Sequence, residues 1–284
     1  MKIGYYPGCS LLGSSREFDE SVRALAQALG LELVEVPDWS CCGASSAHVL
    51  DHRLALALPA RILAQAEAAG LTEILAPCAA CYNRLATARD TLEKDPALAR
   101  DIEAVIGQPV TGNVRIVNVL EVLDRFRDVI PGRIAKPFAH KVACYYGCLL
   151  VRPAKVLKFD RPEDPRSMDR LMAAAGAEPR EWNFKTECCG AAFSVTRTDL
   201  VAKMSGKIVA DAVRHGAEAI IVACPMCQSN LDMRRPEINA RLGAEHTIPV
   251  LFITQALGLA MGIDATKLGL QRHMVPAVMT PAAV

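Results

Sequence analysis

The sequence is poor in aromatics, at 5% of 284 residues, and carries no excess of either charge. Thirty-two Lys and Arg offset 31 Asp and Glu, for a net charge of +1. That balance lacks the basic footprint of a nucleic-acid binder or of a protein held on an anionic membrane surface. Long apolar runs are also missing. The longest, Ile248–Ile263, is interrupted by Pro249, Thr254 and Gln255 and falls short of the about 20 apolar residues that cross a bilayer. It reads as a core strand followed by a core helix. Met1 and Lys2 lead directly into a strand-like run at Ile3–Tyr6, without the apolar stretch of an export signal. The expectation is a cytoplasmic protein with no nucleic-acid partner and no direct membrane insertion, free to dock on a membrane subunit.

Cysteine is abundant. There are 11, and 51% of the chain is hydrophobic, which is ample for a core that needs no disulfide staples. In a reducing compartment, clustered cysteines point to metal or redox chemistry rather than to a disulfide framework.

Ten of the 11 cysteines fall into two copies of one pattern. The first half reads Tyr6-Pro7-Gly8-Cys9, then Cys41-Cys42-Gly43, then Cys78-Ala79-Ala80-Cys81. The second reads Tyr145-Tyr146-Gly147-Cys148, then Cys188-Cys189-Gly190, then Cys224-Pro225-Met226-Cys227. The first gap is 31 residues in one copy and 39 in the other; the second is 35 and 34. The flanks repeat as well: Val114–Leu123 parallels Pro249–Gly258. The halves divide at about 135/136, and the tail 266–284 lies outside the repeat. Ala135–His140 reads as a linker and Arg161–Pro165 as a surface loop.

Each half predicts the same order of elements. Strands are expected at Lys2–Tyr6, Leu33–Val36 and Ile74–Ala76, and again at Lys141–Tyr145, Pro179–Trp182 and Ala219–Ala223. Helices are expected at Ser15–Leu29 and Leu54–Ala69, and at Ser167–Ala175 and Thr198–His215. Each stops near a glycine (Gly30, Gly70, Gly176, Gly216). A further helix starts at each CxxC. This alternation gives an α/β protein: two pseudo-twofold-related Rossmann-like repeats with mostly parallel sheets. Every cysteine element follows a strand, and sites in such sheets form outside the carboxyl ends of the strands.

Thiolate sulfur suits iron–sulfur clusters and zinc. A CxxC at a helix start brings two sulfurs to one centre, beside amides that favour thiolate. Adjacent cysteines diverge, so Cys-Cys suits a larger object touched at two points. The following Gly43 and Gly190 let the backbone turn tightly against it. Tetrahedral zinc and an ordinary cubane each take four ligands, whereas each half supplies five cysteines. The count favours a multinuclear centre; zinc in one half stays open, since four of five sulfurs would serve it.

These motifs resemble the B-type subunit of heterodisulfide reductase, in the family marked by the CCG motif. The likeness spans about residues 1–275, including the closing run Leu268–His273. It implies that Cys9, Cys41, Cys42, Cys78 and Cys81 hold one noncubane [4Fe-4S] cluster. It assigns Cys148, Cys188, Cys189, Cys224 and Cys227 to a second. It further implies a catalytic subunit that reduces, or in reverse forms, a disulfide by single electrons from each cluster. The implied partners are a C-type subunit with cubane iron–sulfur clusters, an A-type flavin subunit, and a disulfide or thiol substrate. Two other readings stand beside it. One is an electron-transfer subunit, as in CCG-containing lactate, glycolate or succinate/fumarate oxidoreductases. The other is a zinc-stabilised scaffold subunit.

The remaining reactive residues are expected to be structural. Cys144 aligns with Tyr5 and reads as a buried thiol. His48 and His52 follow the first Cys-Cys-Gly, where a helix-face role outweighs a proton-donating one. Arg152 and Lys155 follow Cys148 and either attract an anion or are simply solvated. Tyr5, Tyr6, Tyr145 and Tyr146 are expected in the core with bonded hydroxyls. His140, His215, His246 and His273 show no ligand spacing. Glu93–Glu103 reads as a charged helical face.

Overall fold

A computed structural model describes residues 1–44, 46–277 and 279. Among the described residues, eight strands form two four-stranded sheets, and every strand pair is parallel.

The first sheet contains β1 (Lys2–Tyr5), β2 (Glu32–Glu35), β3 (Glu73–Leu75) and β4 (Arg115–Val117), in the order β2-β1-β3-β4. Its helices are α1 (Gly8–Leu12), α2 (Arg16–Leu29), α3 (Ala47–Leu50), α4 (His52–Ala68), α5 (Ala79–Lys94), α6 (Pro96–Ile106) and α7 (Val119–Asp124). The second sheet contains β5 (Lys141–Tyr145), β6 (Glu178–Pro179), β7 (Ala219–Val222) and β8 (Val250–Phe252), in the order β6-β5-β7-β8. With it go α8 (Ser167–Ala174), α9 (Thr198–Arg214), α10 (Pro225–Asp232), α11 (Arg235–Leu242) and α12 (Ile253–Ala260). The two sheets have one topology, as the repeat requires.

Local chemistry sets the helix ends. The Asp51 carboxylate accepts from Leu54 N at 2.7 Å and starts α4. Asn118 accepts from Leu120 N and Glu121 N at 2.9 and 3.1 Å, while Glu121 accepts from Asn118 N, which completes a capping box for α7. The charged run Glu93–Glu103 is not one helix. Asp95 accepts from Ala97 N and Leu98 N, and Pro96 opens α6, so the chain turns between α5 and α6. The second-half strand expected at Pro179–Trp182 is only Glu178–Pro179. Pro179 has no N–H for a ladder, which confines this strand to the sheet edge.

The halves interlock about their pseudo-twofold axis. α2 packs on α12, and its counterpart α8 packs on α7, the counterpart of α12. Phe18 and Phe252 stack with ring centroids 4.0 Å apart, and Ser21 Oγ lies 2.7 Å from Thr254 Oγ1. Buried residues of both halves form one continuous apolar core.

Candidate metal centres

The order β2-β1-β3 places three loops at the switch point of each sheet, where chain connections diverge and leave a crevice. Cys9 lies on α1 just after β1. Cys41 and Cys42 lie on the loop after β2, and Cys78 caps α5 just after β3. Cys148, Cys188, Cys189 and Cys224 leave β5, β6 and β7 in the same way.

The structure brings each set of five together. Cys9 Sγ lies 3.9 Å from Cys41 Sγ, and Cys42 Sγ lies 3.3 Å from Cys81 Sγ. Cys42 neighbours Cys41, and Cys78 neighbours Cys81, so the five thiols gather in one place. In the second half Cys189 Sγ lies 3.7 Å from Cys227 Sγ, Cys148 bonds Cys188, and Cys227 bonds Cys224. Each set is buried at its CxxC and opens to solvent at Cys9 and Cys41 in the first half and at Cys188 in the second. Among the described residues no three His, Cys, Asp or Glu side chains gather about one point as a single-ion site requires. Five thiols in one place exceed the four ligands of one tetrahedral ion.

The electrostatics favour thiolate at chosen positions. Hydrogen bonds from the Cys41 and Cys81 thiols pull Cys42 down to about 3. The Cys148 thiol, with the backbone N–H groups of Gly190 and Ala191, brings Cys188 down to about 6. The donor thiols Cys41 and Cys148 move upward in return. Gly43 N and Gly190 N point at the Cys41 and Cys188 sulfurs from 3.4 and 3.3 Å. Such N–H donors suit anionic ligands.

Gly8 and Gly147 let the backbone pass close to the CxxC sulfurs. A Cβ on Gly8 would lie 3.0 Å from Cys81 Sγ, and one on Gly147 3.0 Å from Cys227 Sγ. Both have positive φ, +66° and +67°. The tyrosines before them hold the Cys-Cys-Gly loops. Tyr6 donates to the Ser40 carbonyl at 2.8 Å and Tyr145 to the Glu187 carbonyl at 2.6 Å. Tyr5 and Tyr146 bond the carboxylates of Asp19 and Asp169, each at 2.6 Å. Burial raises all four phenols.

The two sets are joined through their loops. Asn83, two residues after Cys81, donates to the Leu149 and Arg152 carbonyls at 3.2 and 2.6 Å, in the loop that follows Cys148. In the pseudo-equivalent contact, α1 packs on α10. A cavity of about 450 Å³ opens there, lined by Gly13, Arg16, Glu17, Gln228 and Arg272 among others. Glu17 is only 5% exposed, and burial raises its carboxyl.

None of the other sequence candidates hydrogen-bonds a motif sulfur through its side chain among the described residues. Cys144 is buried on β5 in the register place of Tyr5 on β1. His48 and His52 are exposed on α3 and at the start of α4. Arg152 pairs with Glu163 at 3.1 Å, and Lys155 is exposed. His140 and His215 face Glu218 and Asp211, and His273 bonds Gln255. His246 meets Asn239 through its backbone. Asn83 and Asn230 are site residues that spacing alone passes over. Their signal is their position one turn or less after a CxxC.

The family model described as a cysteine-rich domain, CCG, matches residues 3–86 and 142–232, more than half of the chain. The chain belongs to the CCG cysteine-rich domain family. It is 31% identical to the 8-methylmenaquinol:fumarate reductase membrane anchor subunit of Wolinella succinogenes, over 97% of this chain and 98% of that one. It is 29% identical to the B-type subunit of the ferredoxin/F(420)H(2)-dependent CoB-CoM heterodisulfide reductase of Methanosarcina acetivorans, over 96% and 94%. A protein of Archaeoglobus profundus described as similar to that B-type heterodisulfide reductase subunit is 28% identical over 94% and 93%. Among solved structures, a hypothetical protein from Helicobacter pylori shares the fold, with a TM-score of 0.79 at 13% identity. That match covers 98% of this chain and 53% of the other. Among the described residues no helix is long and apolar enough to cross a membrane.

Proposed function

We propose that this chain is an iron–sulfur oxidoreductase subunit that reduces, or in reverse forms, a disulfide at two noncubane [4Fe-4S] centres. The observation that carries the reading is the gathering of five cysteines in each half, whose supporting loops touch across the pseudo-twofold axis. Cys9, Cys41, Cys42, Cys78 and Cys81 would hold one centre in residues 1–135. Cys148, Cys188, Cys189, Cys224 and Cys227 would hold the other in residues 136–284. When bound, the two centres supply single electrons, and cleaving one disulfide to two thiols takes two electrons and two protons.

The chain's own residues position and shield. The Tyr6 and Tyr145 hydroxyls fix the Cys-Cys-Gly loops, and Gly8 and Gly147 let the backbone close on the sulfurs. The cavity beside Gly13 and Gln228 is the candidate substrate cleft. Arg16 and Arg272 line it, which suits an anionic thiol or disulfide. Glu17 lines it too, as a carboxyl that burial makes hold its proton more tightly.

Partners are expected on the sulfur face. Val49, Leu50 and Val195, just past the two Cys-Cys-Gly loops, are 77%, 74% and 91% exposed. Apolar groups so exposed mark interaction surfaces. A C-type subunit with cubane clusters would dock there and pass on electrons from an A-type flavin subunit, in the cytoplasm.

A second reading is favoured by the fumarate reductase relative: an electron-transfer subunit with no disulfide substrate of its own. Anaerobic purification with iron, sulfide and zinc analysis, followed by a disulfide reductase assay with a chemical electron donor, separates the readings. Iron and sulfide with disulfide turnover supports the first reading. Iron and sulfide without turnover supports the second. Two zinc ions per chain with no acid-labile sulfide would overturn both and leave the zinc scaffold.

A further inference from the structure

Asn230 stands on α10 three residues after Cys227, on the same helix face. It is 1% exposed. Its Nδ2 donates to the Cys189 carbonyl at 3.1 Å and lies 3.7 Å from the Cys189 sulfur. An amide has two N–H groups, so both contacts are served at once. The Ser194 hydroxyl donates to Asn230 Oδ1 at 2.8 Å, which fixes which way round the amide lies. Ser205 also donates to the Cys189 carbonyl, at 3.0 Å. That carbonyl therefore keeps a partner without Asn230, whereas the sulfur has no other side-chain N–H donor among the described residues.

Among the described residues the first half shows no such amide. The residue three after Cys81 is Arg84. The Tyr6 hydroxyl beside Cys42 has one hydrogen, and it points to the Ser40 carbonyl. The two sites share topology and sulfur count, and this amide is one of the points at which they differ.

We propose that Asn230 raises the reduction potential of the second centre through its N–H···S contact to Cys189, making the two centres unequal electron carriers. The inference rests on reading the ten cysteines as cluster ligands. Reduction adds negative charge to the cluster and its thiolates. A donor aimed at a ligand sulfur stabilises the more negative state more, and a buried setting strengthens that effect.

The test is a potentiometric titration, followed by electron paramagnetic resonance, of the full chain purified anaerobically. Wild type is compared with Asn230→Leu and Asn230→Asp. The expected result is a downward shift of one midpoint in Asn230→Leu and a larger one in Asn230→Asp, where a carboxylate faces the sulfur. The shifting signal is the one that Cys227→Ala abolishes, and the other midpoint stays put. Unchanged midpoints in both variants, or a shift in the first centre instead, overturn the proposal. If the Asn230 variants lose the second centre, Ser194→Ala carries the test. It frees the amide to rotate, so the same signal moves down by less, and an unmoved midpoint overturns the proposal. A wild-type protein without iron and sulfide sinks the cluster reading itself, and metal analysis shows that before any titration.

Discussion

Tyr6 donates its hydroxyl to the carbonyl of Ser40 at 2.8 Å, one residue before the first adjacent pair, Cys41-Cys42. Tyr145 repeats the bond to Glu187, one residue before Cys188. Both rings are fully enclosed, so a phenylalanine keeps the packing and leaves a carbonyl without its partner. Losing one such part-buried hydrogen bond costs about 0.5–1.5 kcal/mol. Tyr6→Phe is expected to lower stability by that order and to speed iron loss to a chelator from the first centre alone. Tyr145→Phe should do the same at the second. Iron release in two resolved phases, one accelerated in each variant, checks the pairing of residue and centre.

Gly8 and Gly147 offer a sharper contrast. An added methyl at either position would crowd a CxxC sulfur at 3.0 Å on a backbone that disfavours any side chain. Gly30 has a similar φ, +72°, with nothing within 4 Å of its would-be Cβ. Gly30→Ala should therefore cost about 1–2 kcal/mol of left-handed strain and leave metal content intact. Gly8→Ala should cost more and halve the iron bound per chain. Metal analysis of the two variants side by side distinguishes site crowding from general destabilisation.

Lys185 and Asp169 form a buried ion pair at 2.9 Å, 4% and 8% exposed. Tyr146 donates to the other Asp169 oxygen at 2.6 Å. The pair braces the chain three residues before Cys188 against α8. Removing one partner leaves the other charge poorly compensated, at a cost of about 3–5 kcal/mol. Asp169→Leu and Lys185→Met are each expected to fall in that range. The double variant should recover part of the loss. Denaturant unfolding of the four proteins in a cycle gives the coupling.

Glu17 predicts a pH signature. Burial is the largest cause of its upward shift, opposed by Arg272 and reinforced by Asp232 and Glu20. A carboxyl raised in the folded state binds its proton more tightly there than in the unfolded chain. Stability from this group is thus greatest at low pH and declines as pH rises from the unfolded value of about 4.3 through the raised folded one. Glu17→Gln should gain stability relative to wild type at pH 7 and lose that gain at pH 4. Denaturant midpoints of the two proteins across this range check the sign.

Much of the centre is legible in the sequence because the constraints are local. The spacing of Cys9, Cys41, Cys42, Cys78 and Cys81 repeats, each element follows a strand, and glycines stand where sulfurs need room. The eleventh thiol, Cys144, is set aside by aligning the repeats. Other features arise only when the chain closes on itself. Asn83 acts on carbonyls 66 and 69 residues away, and the Asn230 amide finds its sulfur 41 residues upstream. No periodicity reports such partners. The break between α5 and α6 is written locally, in Asp95-Pro96, but a charged helical pattern on both sides masks it. β6 is two residues long at the sheet edge, where Pro179 offers no outward N–H to a further strand, although its flanking residues have strand character.

The central claim is that two separate iron–sulfur centres are held by the two sets of five cysteines. Electron paramagnetic resonance of the reduced full chain, compared among wild type, Cys81→Ala and Cys227→Ala, tests it most directly. Two signals are expected in wild type, with Cys81→Ala lacking one and Cys227→Ala lacking the other. Survival of both signals in either variant, or a wild-type spectrum with no iron–sulfur signal, would contradict it.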